Sequence, residues 1–222
     1  MGKVIALLFF LCSVGVANAQ VTYTATVGNY TSLGDCTSCT GVVPCANYTT
    51  AMKQTGSFTV AAALAPNLAS ADVTGSVTSY SFSDGINTYS NTNPDDRILA
   101  FVVTTDASGN ITGSTIYFEK WLSGTNGSHA PLDKVAGMQL GVTSFHNAPC
   151  YTLGVSPFSG VQEVCINFDP NDPAASFAVS PAVSWASSAG TAPTPVPTLS
   201  EWAMVIMGSL MALIAVRKMR HS

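Results

Sequence analysis

The sequence predicts an all-β body: a single antiparallel β-sandwich or barrel-like domain of about nine or ten strands. Three observations support this fold class. Short runs rich in Val, Thr, Tyr and Phe recur about every 8–15 residues, with turn-forming residues between them. The segments Asp84-Gly85 and 106–110 (Asp-Ala-Ser-Gly-Asn) are strong hairpin signals. No window of the body shows a sustained apolar stripe of helical period.

The strands are assigned from these runs in chain order. The first, 21–27, alternates apolar and polar side chains, and the second follows a cysteine-bearing loop. Two further runs flank the 106–110 turn, where a glycine at position 109 favours a left-handed backbone. The predicted strands are 21–27, 57–61, 75–82, 98–104, 111–118, 139–145, 151–155, 161–168 and 176–179. Residues 48–54 have the length and composition of one helical turn.

The N-terminus has the pattern of a secretory signal peptide. Lys3 supplies a positive charge, residues 4–16 are apolar, and Ala17-Asn18-Ala19 is a small-x-small cleavage site. An uncleaved membrane helix is the alternative, but the apolar stretch is short for one. Residues 1–19 are therefore predicted to direct export through the Sec machinery, with the mature chain beginning at Gln20.

The C-terminus combines an apolar run with a basic end. Residues 203–216 would form a helix of about 21 Å, whereas the hydrocarbon core of a bilayer is about 30 Å thick. This transmembrane helix would need tilting, local thinning, or snorkelling of the basic side chains that follow it. Those side chains are expected to stay in the cytoplasm, which places the body outside. They are Arg217, Lys218 and Arg220.

A polar motif precedes this helix, and together they resemble the IPTL-CTERM sorting signal of exported proteins of Gram-negative bacteria. The motif consists of Val196, Pro197, Thr198, Leu199, Ser200, Glu201 and Trp202. It departs from the family pattern by having Val196 in place of Ile and Ala203 in place of Gly. The resemblance covers about residues 195–222 and implies processing by an exosortase-type membrane enzyme. It also implies an inner-membrane intermediate that later reaches the cell surface or the extracellular space.

These segments divide the chain into four parts. The predicted parts are a signal peptide (1–19), an all-β exported domain (20–185), an Ala/Ser/Thr/Pro tether (186–195) and the sorting signal (196–222). The exported domain holds four basic and 11 acidic side chains. Because such a surface repels phosphate backbones, nucleic acid is excluded as a partner.

Five cysteines remain after signal cleavage, and an oxidising compartment favours disulfides between them. Cys150 and Cys165 flank a Gly/Pro/Ser turn between two strand-like runs, so their bridge is the favoured pairing. Cys36, Cys39 and Cys45 lie in a turn-rich loop that is expected to hold one further bridge, leaving one cysteine over. A zinc site is the less favoured alternative, because the second Cys-x-x-Cys is missing and no nearby histidine completes the ligand set.

Several residues invite a chemical interpretation, each with a structural alternative. His129 and His146 follow no catalytic spacing, so no catalytic residue is assigned. The acidic segments 95–97 and 169–172 carry oxygen ligands suited to calcium, but Asp, Asn and Pro also form turns, and turns are favoured. Trp121 and Trp185 would suit a sugar-stacking platform, although core burial is the more common role.

Together these patterns predict an exported protein with a structural or adhesive role at the cell surface or in the extracellular matrix. Extracellular polysaccharide is a candidate partner, and we expect no enzymatic activity, cofactor or metal. Two alternatives stay open. One is a secreted carbohydrate-active or hydrolytic enzyme on a β-sandwich, and the other is a glycan- or calcium-binding module.

Overall fold

The structure, a computed structural model, describes residues 19–38, 43–189, 206–211, 217, 218 and 220. Several predicted features lie outside these residues: the signal peptide as far as residue 18, Cys39, the sorting motif 196–202 and most of the predicted transmembrane helix. Within that helix, residues 206–211 are described and are helical. Among the described residues, no helix has the length and apolarity needed to cross a membrane.

The body belongs to one compact unit, Asn18–Thr191, and its described part is built from thirteen strands. In chain order they are β1 (Val21–Asn29), β2 (Ser32–Gly34), β3 (Lys53–Val60), β4 (Ala71–Asp72), β5 (Val77–Ser83), β6 (Thr88–Ser90), β7 (Asp96–Thr105), β8 (Ile111–Trp121), β9 (Lys134–Gln139), β10 (Thr143–Val155), β11 (Gln162–Phe168), β12 (Ser176–Val179) and β13 (Ser184–Ala189). A single 3-10 turn, Thr74–Ser76, precedes β5.

The strands form two open antiparallel sheets, which confirms the all-β prediction. The five-stranded sheet has the order β13-β1-β3-β5-β6, and the eight-stranded sheet includes the path β2-β12-β10-β9-β8-β7-β4. β10 is long enough to pair with β12 through its first residues and with β11 through its last. The two sheets pack face to face, so the architecture is a sandwich.

Aromatic rings from both sheets fill the space between them, and we call this cluster the sandwich core. Phe58 meets Phe101 edge to face at 4.9 Å between ring centroids, and Tyr80 stacks on Phe118 at 5.0 Å. Phe58, Phe101 and Phe118 are almost wholly buried. The alternation that predicted β1 is confirmed: Val21, Tyr23, Ala25 and Val27 are its buried residues, and all of them join this core.

A third layer covers part of the outer face of the eight-stranded sheet. We call it the disulfide hairpin: residues 150–168, comprising the end of β10 and β11 and tied by the Cys150–Cys165 bridge. Its tip is bonded to β7, because the Ser156 Oγ donates to the Leu99 carbonyl at 2.7 Å. Its returning strand reaches β8, where Trp121 Nε1 donates to the Glu163 carbonyl at 3.0 Å.

The predicted strand 139–145 is not continuous: its ends belong to β9 and β10, and residues 140–142 form the hairpin turn between them. Gly141 in this turn has φ +73°, which interrupts the extended backbone. The buried side chain of Gln54 holds the turn: Nε2 donates to the Gln139 and Thr143 carbonyls, and Oε1 accepts from the Gly141 N–H. The sequence pattern did not indicate this contact, because Gln54 lies more than 80 residues away.

Other predicted boundaries also move. The predictions did not include β9 or β13, nor the three short strands β2, β4 and β6. β13 pairs with β1 from Ser184 to Ala189, so it takes in the first four residues of the predicted tether.

Residues 48–54 form no helix; a turn closed by the Met52 N–H and the Thr49 carbonyl leads into β3. The two hairpin turns are present, with φ +94° at Gly85 and +81° at Gly109.

Candidate functional site

An aromatic groove opens on the outer face of the eight-stranded sheet beside the disulfide hairpin, and we call it the outer groove. It has a volume of about 320 Å³. Five strands bring residues to it, from β8 through β12. The lining residues are Tyr117, Gln139, Thr143, Phe145, Phe168, Pro170, Asn171 and Phe177. A second groove of about 380 Å³ runs under the hairpin tip and shares Tyr117 and Phe168 with the first.

Strand alternation places these rings on the outer face. In β8, Ile116 and Phe118 point into the sandwich core, so Tyr117 between them points out. Phe145 of β10 stacks on Phe168 of β11 with ring centroids 4.2 Å apart. A glycine on the neighbouring strand makes room for the Phe145 ring, because a Cβ at Gly137 would overlap it.

Polar groups at the rim of the outer groove are available to a ligand. The Tyr117 hydroxyl and the side-chain amides of Gln139 and Asn171 make no hydrogen bond to any part of the chain that the structure describes. Burial, and to a lesser degree the nearby Glu119 carboxyl, raises the pKa of Tyr117 well above its usual value, which keeps the hydroxyl neutral. None of the residues that line the groove has a charged side chain. The groove thus combines ring faces with neutral donors and acceptors.

Behind the groove lies Glu119, which is wholly buried between β8 and the disulfide hairpin. Burial raises its pKa to about 8, although its bond from Cys165 and the charge of Arg97 act in the opposite direction. The Cys165 N–H donates to both carboxyl oxygens, at 2.9 and 3.1 Å. At neutral pH this carboxyl group is therefore largely protonated, and it fixes the hairpin to the sheet.

The two candidate histidines lie on opposite faces of the eight-stranded sheet. His129 is on the outer side, where its ring stacks on Trp121 at 4.1 Å and its backbone N–H donates to Glu163 Oε1. His146 points inward: its Nδ1 is 3.2 Å from Asn87 Oδ1, and burial lowers its pKa. They share no hydrogen-bond partner in the described chain, so they do not form one site.

A buried acid that sequence analysis treated only as a turn residue organises the inward cluster. The Asp84 carboxylate accepts hydrogen bonds from the Tyr48 hydroxyl at 3.0 Å, the Tyr89 hydroxyl at 2.9 Å, and both the backbone and side chain of Asn87. The Asp84 Oδ1 atom also accepts a hydrogen bond from the Ile86 N–H. Because every donor comes from the protein, this cluster holds the β5–β6 turn closed and leaves little room for a ligand.

The two tryptophans form no common platform, which corrects the sugar-stacking interpretation. Trp121 is buried in the cluster beneath the disulfide hairpin. Trp185 packs in the sandwich, with its ring 5.5 Å from that of Phe58 and its Nε1 bonded to Ser114 Oγ. Both indole rings pack against apolar side chains, because burying such a large ring removes a large apolar area from water.

The acidic segments serve as turns and ion pairs. Asp96 lies 3.1 Å from Lys120 and accepts a hydrogen bond from the Ser90 N–H. Asp169 accepts from the Asn171 N–H, and Asp172 accepts from the Ala174 N–H. In the described residues, no group of three or more His, Cys, Asp or Glu side chains could hold a metal ion.

The structure contains two disulfides in the described chain. One joins Cys150 to Cys165, the pairing that the sequence favours, and the other joins Cys36 to Cys45 within the turn-rich loop. The first bridge positions the hairpin that forms one wall of the outer groove. Sequence analysis missed that groove, although the offset of Tyr117 from its core neighbours is a signal that an outward aromatic ring is present.

Comparison with known proteins identifies the C-terminal segment. A family model described as the IPTL-CTERM motif matches residues 194–221. The chain is therefore an exported, surface-sorted protein whose C-terminal signal implies processing by an exosortase-type enzyme. Neither a curated protein nor a solved structure matches the chain.

Proposed function

We propose that this exported protein is a structural or adhesive element of the cell surface or extracellular matrix. The observation that carries the proposal is the sorting motif at residues 194–221, joined to a body whose candidate site is an uncharged aromatic groove. The motif indicates an exported protein that is sorted by its C-terminal signal. The groove offers contact chemistry without an arrangement of nucleophile, base or metal ligands.

The construction of the body suits a lasting role outside the cell. Two packed sheets are reinforced by a disulfide hairpin on one face, and both described bridges restrain the loops that they close. The described body also has few ionisable side chains at its candidate site. Such a body supports persistence and contact better than turnover of a substrate.

The main rival is a secreted hydrolytic enzyme, and it depended on the two histidines acting together. His129 and His146 face different layers of the protein, so this pair supplies no acid–base site. A calcium-binding module depended on the acidic segments, whose oxygens already accept backbone N–H groups. Both rivals therefore have less support than the structural or adhesive role.

Localisation is tested by measuring the intact mass of the native protein in membrane and extracellular fractions of the host. We expect an inner-membrane intermediate that retains the C-terminus and an extracellular form running from Gln20 to about the Pro-Thr-Leu of the motif. A host variant with Thr198→Ala and Leu199→Ala is the matched test of processing. Finding only full-length protein in the membrane would overturn the release step.

The structural or adhesive role is tested by deleting the gene in the host and measuring matrix cohesion and surface attachment. We expect both to fall, and to be restored by the wild-type chain. A chain truncated before residue 194 is the control, because it keeps the body and lacks the sorting signal. Unchanged cohesion and attachment in the deletion strain would contradict the role.

A further inference from the structure

We propose that the outer groove binds a neutral polysaccharide chain. This inference deepens the adhesive role proposed above and rests on it. The outer groove is a different surface from the pair Trp121 and Trp185 that the sequence suggested for sugar stacking. Three properties of the groove support a neutral polysaccharide as its ligand: its ring faces, its unpartnered polar groups and its lack of charge.

The ring faces fit the apolar side of a sugar. A pyranose ring presents C–H bonds on its faces and hydroxyl groups around its edge, so it packs on an aromatic ring with its edge left free. Tyr117, Phe168 and Phe177 are only partly buried, so their rings are accessible from the groove. Phe145, stacked beneath Phe168, fixes the orientation of that ring. The groove thus offers a preformed aromatic floor.

The polar rim fits the edge of a sugar. The side-chain amides of Gln139 and Asn171 each carry hydrogen-bond donors and an acceptor, and the Tyr117 hydroxyl can both donate and accept. Sugar hydroxyl groups also donate and accept, so a sugar hydroxyl can pair with any of these three side chains. An acyl chain or an apolar peptide side chain would bury the same groups without partners, at a cost of about 1–3 kcal/mol each. The rim therefore selects against a purely apolar occupant.

The charge distribution selects a neutral ligand. The residues that line the outer groove include no side chain that is charged at neutral pH. Asp172, which follows the lining residue Asn171, lies 3.7 Å from Lys134, and the two charges offset each other. The exported domain has an excess of acidic residues, which repels uronate- or sulfate-rich polymers.

The length of the site favours a polymer over a single sugar. The two grooves have volumes of about 320 and 380 Å³, each within the range of small-molecule sites, about 300–1,000 Å³. They share Tyr117 and Phe168, so a chain that leaves one can enter the other. The disulfide hairpin contributes lining residues to both grooves, and its bridge restrains this surface.

The test is affinity electrophoresis of the native protein, recovered from its host, through gels that contain extracellular polysaccharide from the same host. The polysaccharide is first separated by anion exchange into neutral and acidic fractions. We expect the neutral fraction to retard the protein and the acidic fraction to leave it unretarded. Free monosaccharides from the neutral fraction should compete at least tenfold less well than the polymer.

A double variant, Gln139→Leu with Asn171→Leu, removes the two amides of the polar rim and leaves the Tyr117 hydroxyl and the aromatic floor in place. We expect its apparent Kd for the neutral fraction to rise at least tenfold. Gln162→Leu is the matched control, because this exposed glutamine lies on the disulfide hairpin and lines neither groove. All three proteins should melt within about 2 °C of one another, which excludes unfolding as the cause.

Three outcomes would overturn the proposal. They are no retardation by the neutral fraction, retardation by the acidic fraction alone, and retardation that the double variant leaves unchanged. None of them affects the intact-mass assay or the deletion phenotype. A protein that is sorted and supports cohesion but binds no neutral polysaccharide would keep its structural role and lose this site.

Discussion

The inner and outer faces of the eight-stranded sheet bury their side chains in different ways. The inner face is covered along its length by a second sheet, and its rings form a closed set around Phe118. Among the described residues, the outer face is covered in part by the disulfide hairpin, the segment that follows it and the loop that carries His129, which leaves two grooves. A complete cover produces a core, whereas a partial cover produces a surface with accessible rings.

The difference extends to buried ionisable groups. On the inner side, the Asp84 carboxylate accepts from two tyrosine hydroxyls, an amide and backbone N–H groups. On the outer side, Glu119 accepts from the Cys165 N–H alone among the described residues, and burial raises its pKa to about 8. Protein hydrogen-bond donors satisfy the buried carboxyl group on the inner side, whereas the buried carboxyl group on the outer side is stabilised by binding a proton.

Truncating the centre of the sandwich core should destabilise the protein most. Phe118→Ala removes a wholly buried ring with four aromatic neighbours, so we expect the free energy of unfolding to fall by about 3–5 kcal/mol. Phe168→Ala, the same change on the partly buried outer face, should cost less than half as much. Urea unfolding of the full-length protein measures both values. Equal losses would show that the outer cluster is as important to stability as the core.

Removing the hairpin bridge should separate the stability of the two faces. Cys150→Ala with Cys165→Ala opens a 15-residue loop, for which the expected loss is about 3 kcal/mol. Amide hydrogen exchange should accelerate in residues 150–168 and change much less in β1 and β3, which lie in the other sheet. Cys36→Ala with Cys45→Ala is the control for loss of a bridge elsewhere. Uniform acceleration across both sheets would contradict a separable outer layer.

The two faces should also respond to pH in opposite directions. The folded pKa of Glu119 is raised, so its stabilising effect is full below the unfolded pKa and is lost as pH rises through about 8. The folded pKa of His146 is lowered, so its stabilising effect is present above the unfolded pKa and is lost as pH falls through the folded pKa.

Glu119→Gln isolates the outer contribution, because glutamine keeps the size and an acceptor for the Cys165 N–H. We expect the variant to lie close to the wild type at pH 5 and to exceed its free energy of unfolding by at least about 3 kcal/mol at pH 9, as measured by urea unfolding. His146→Gln should leave the loss of stability at alkaline pH unchanged, which makes it the matched control. If Glu119→Gln lost as much stability at alkaline pH as the wild type does, another group would be responsible for that loss.

The smallest effect is expected from the ion pairs that flank the hairpin. Arg97 lies 3.0 Å from Glu163 and also bonds Asn126, with 11% of its side chain exposed. Arg97→Met should cost about 1 kcal/mol and make stability less dependent on salt. Lys134→Met breaks the longer pair with Asp172 at 3.7 Å and should cost less. Thermal melts at low and high salt compare the two variants. A larger loss of stability for Lys134→Met would contradict the expectation that the Arg97–Glu163 pair is the stronger one.

Part of the candidate site was within reach of sequence analysis, and part was not. Alternation around Tyr117 predicts that it and Phe118 face opposite sides of β8, because successive strand residues do so. The Cys150–Cys165 pairing follows from two runs around a turn. By contrast, the sequence predicted one strand over 139–145, where the structure has a turn at 140–142 with Gly141 in a left-handed conformation; the side chain that holds this turn comes from β3.

The sequence alone determined the all-β class, the favoured hairpin bridge and the sorting motif at residues 194–221. Each of these depends on residues close together in the chain, where spacing and side-chain type are sufficient. Only the tertiary structure decided that His129 and His146 lie on opposite faces and that Phe145, Phe168 and Phe177 meet beside Tyr117. These positions depend on which strands become neighbours and on how the hairpin folds back, and long-range packing sets both.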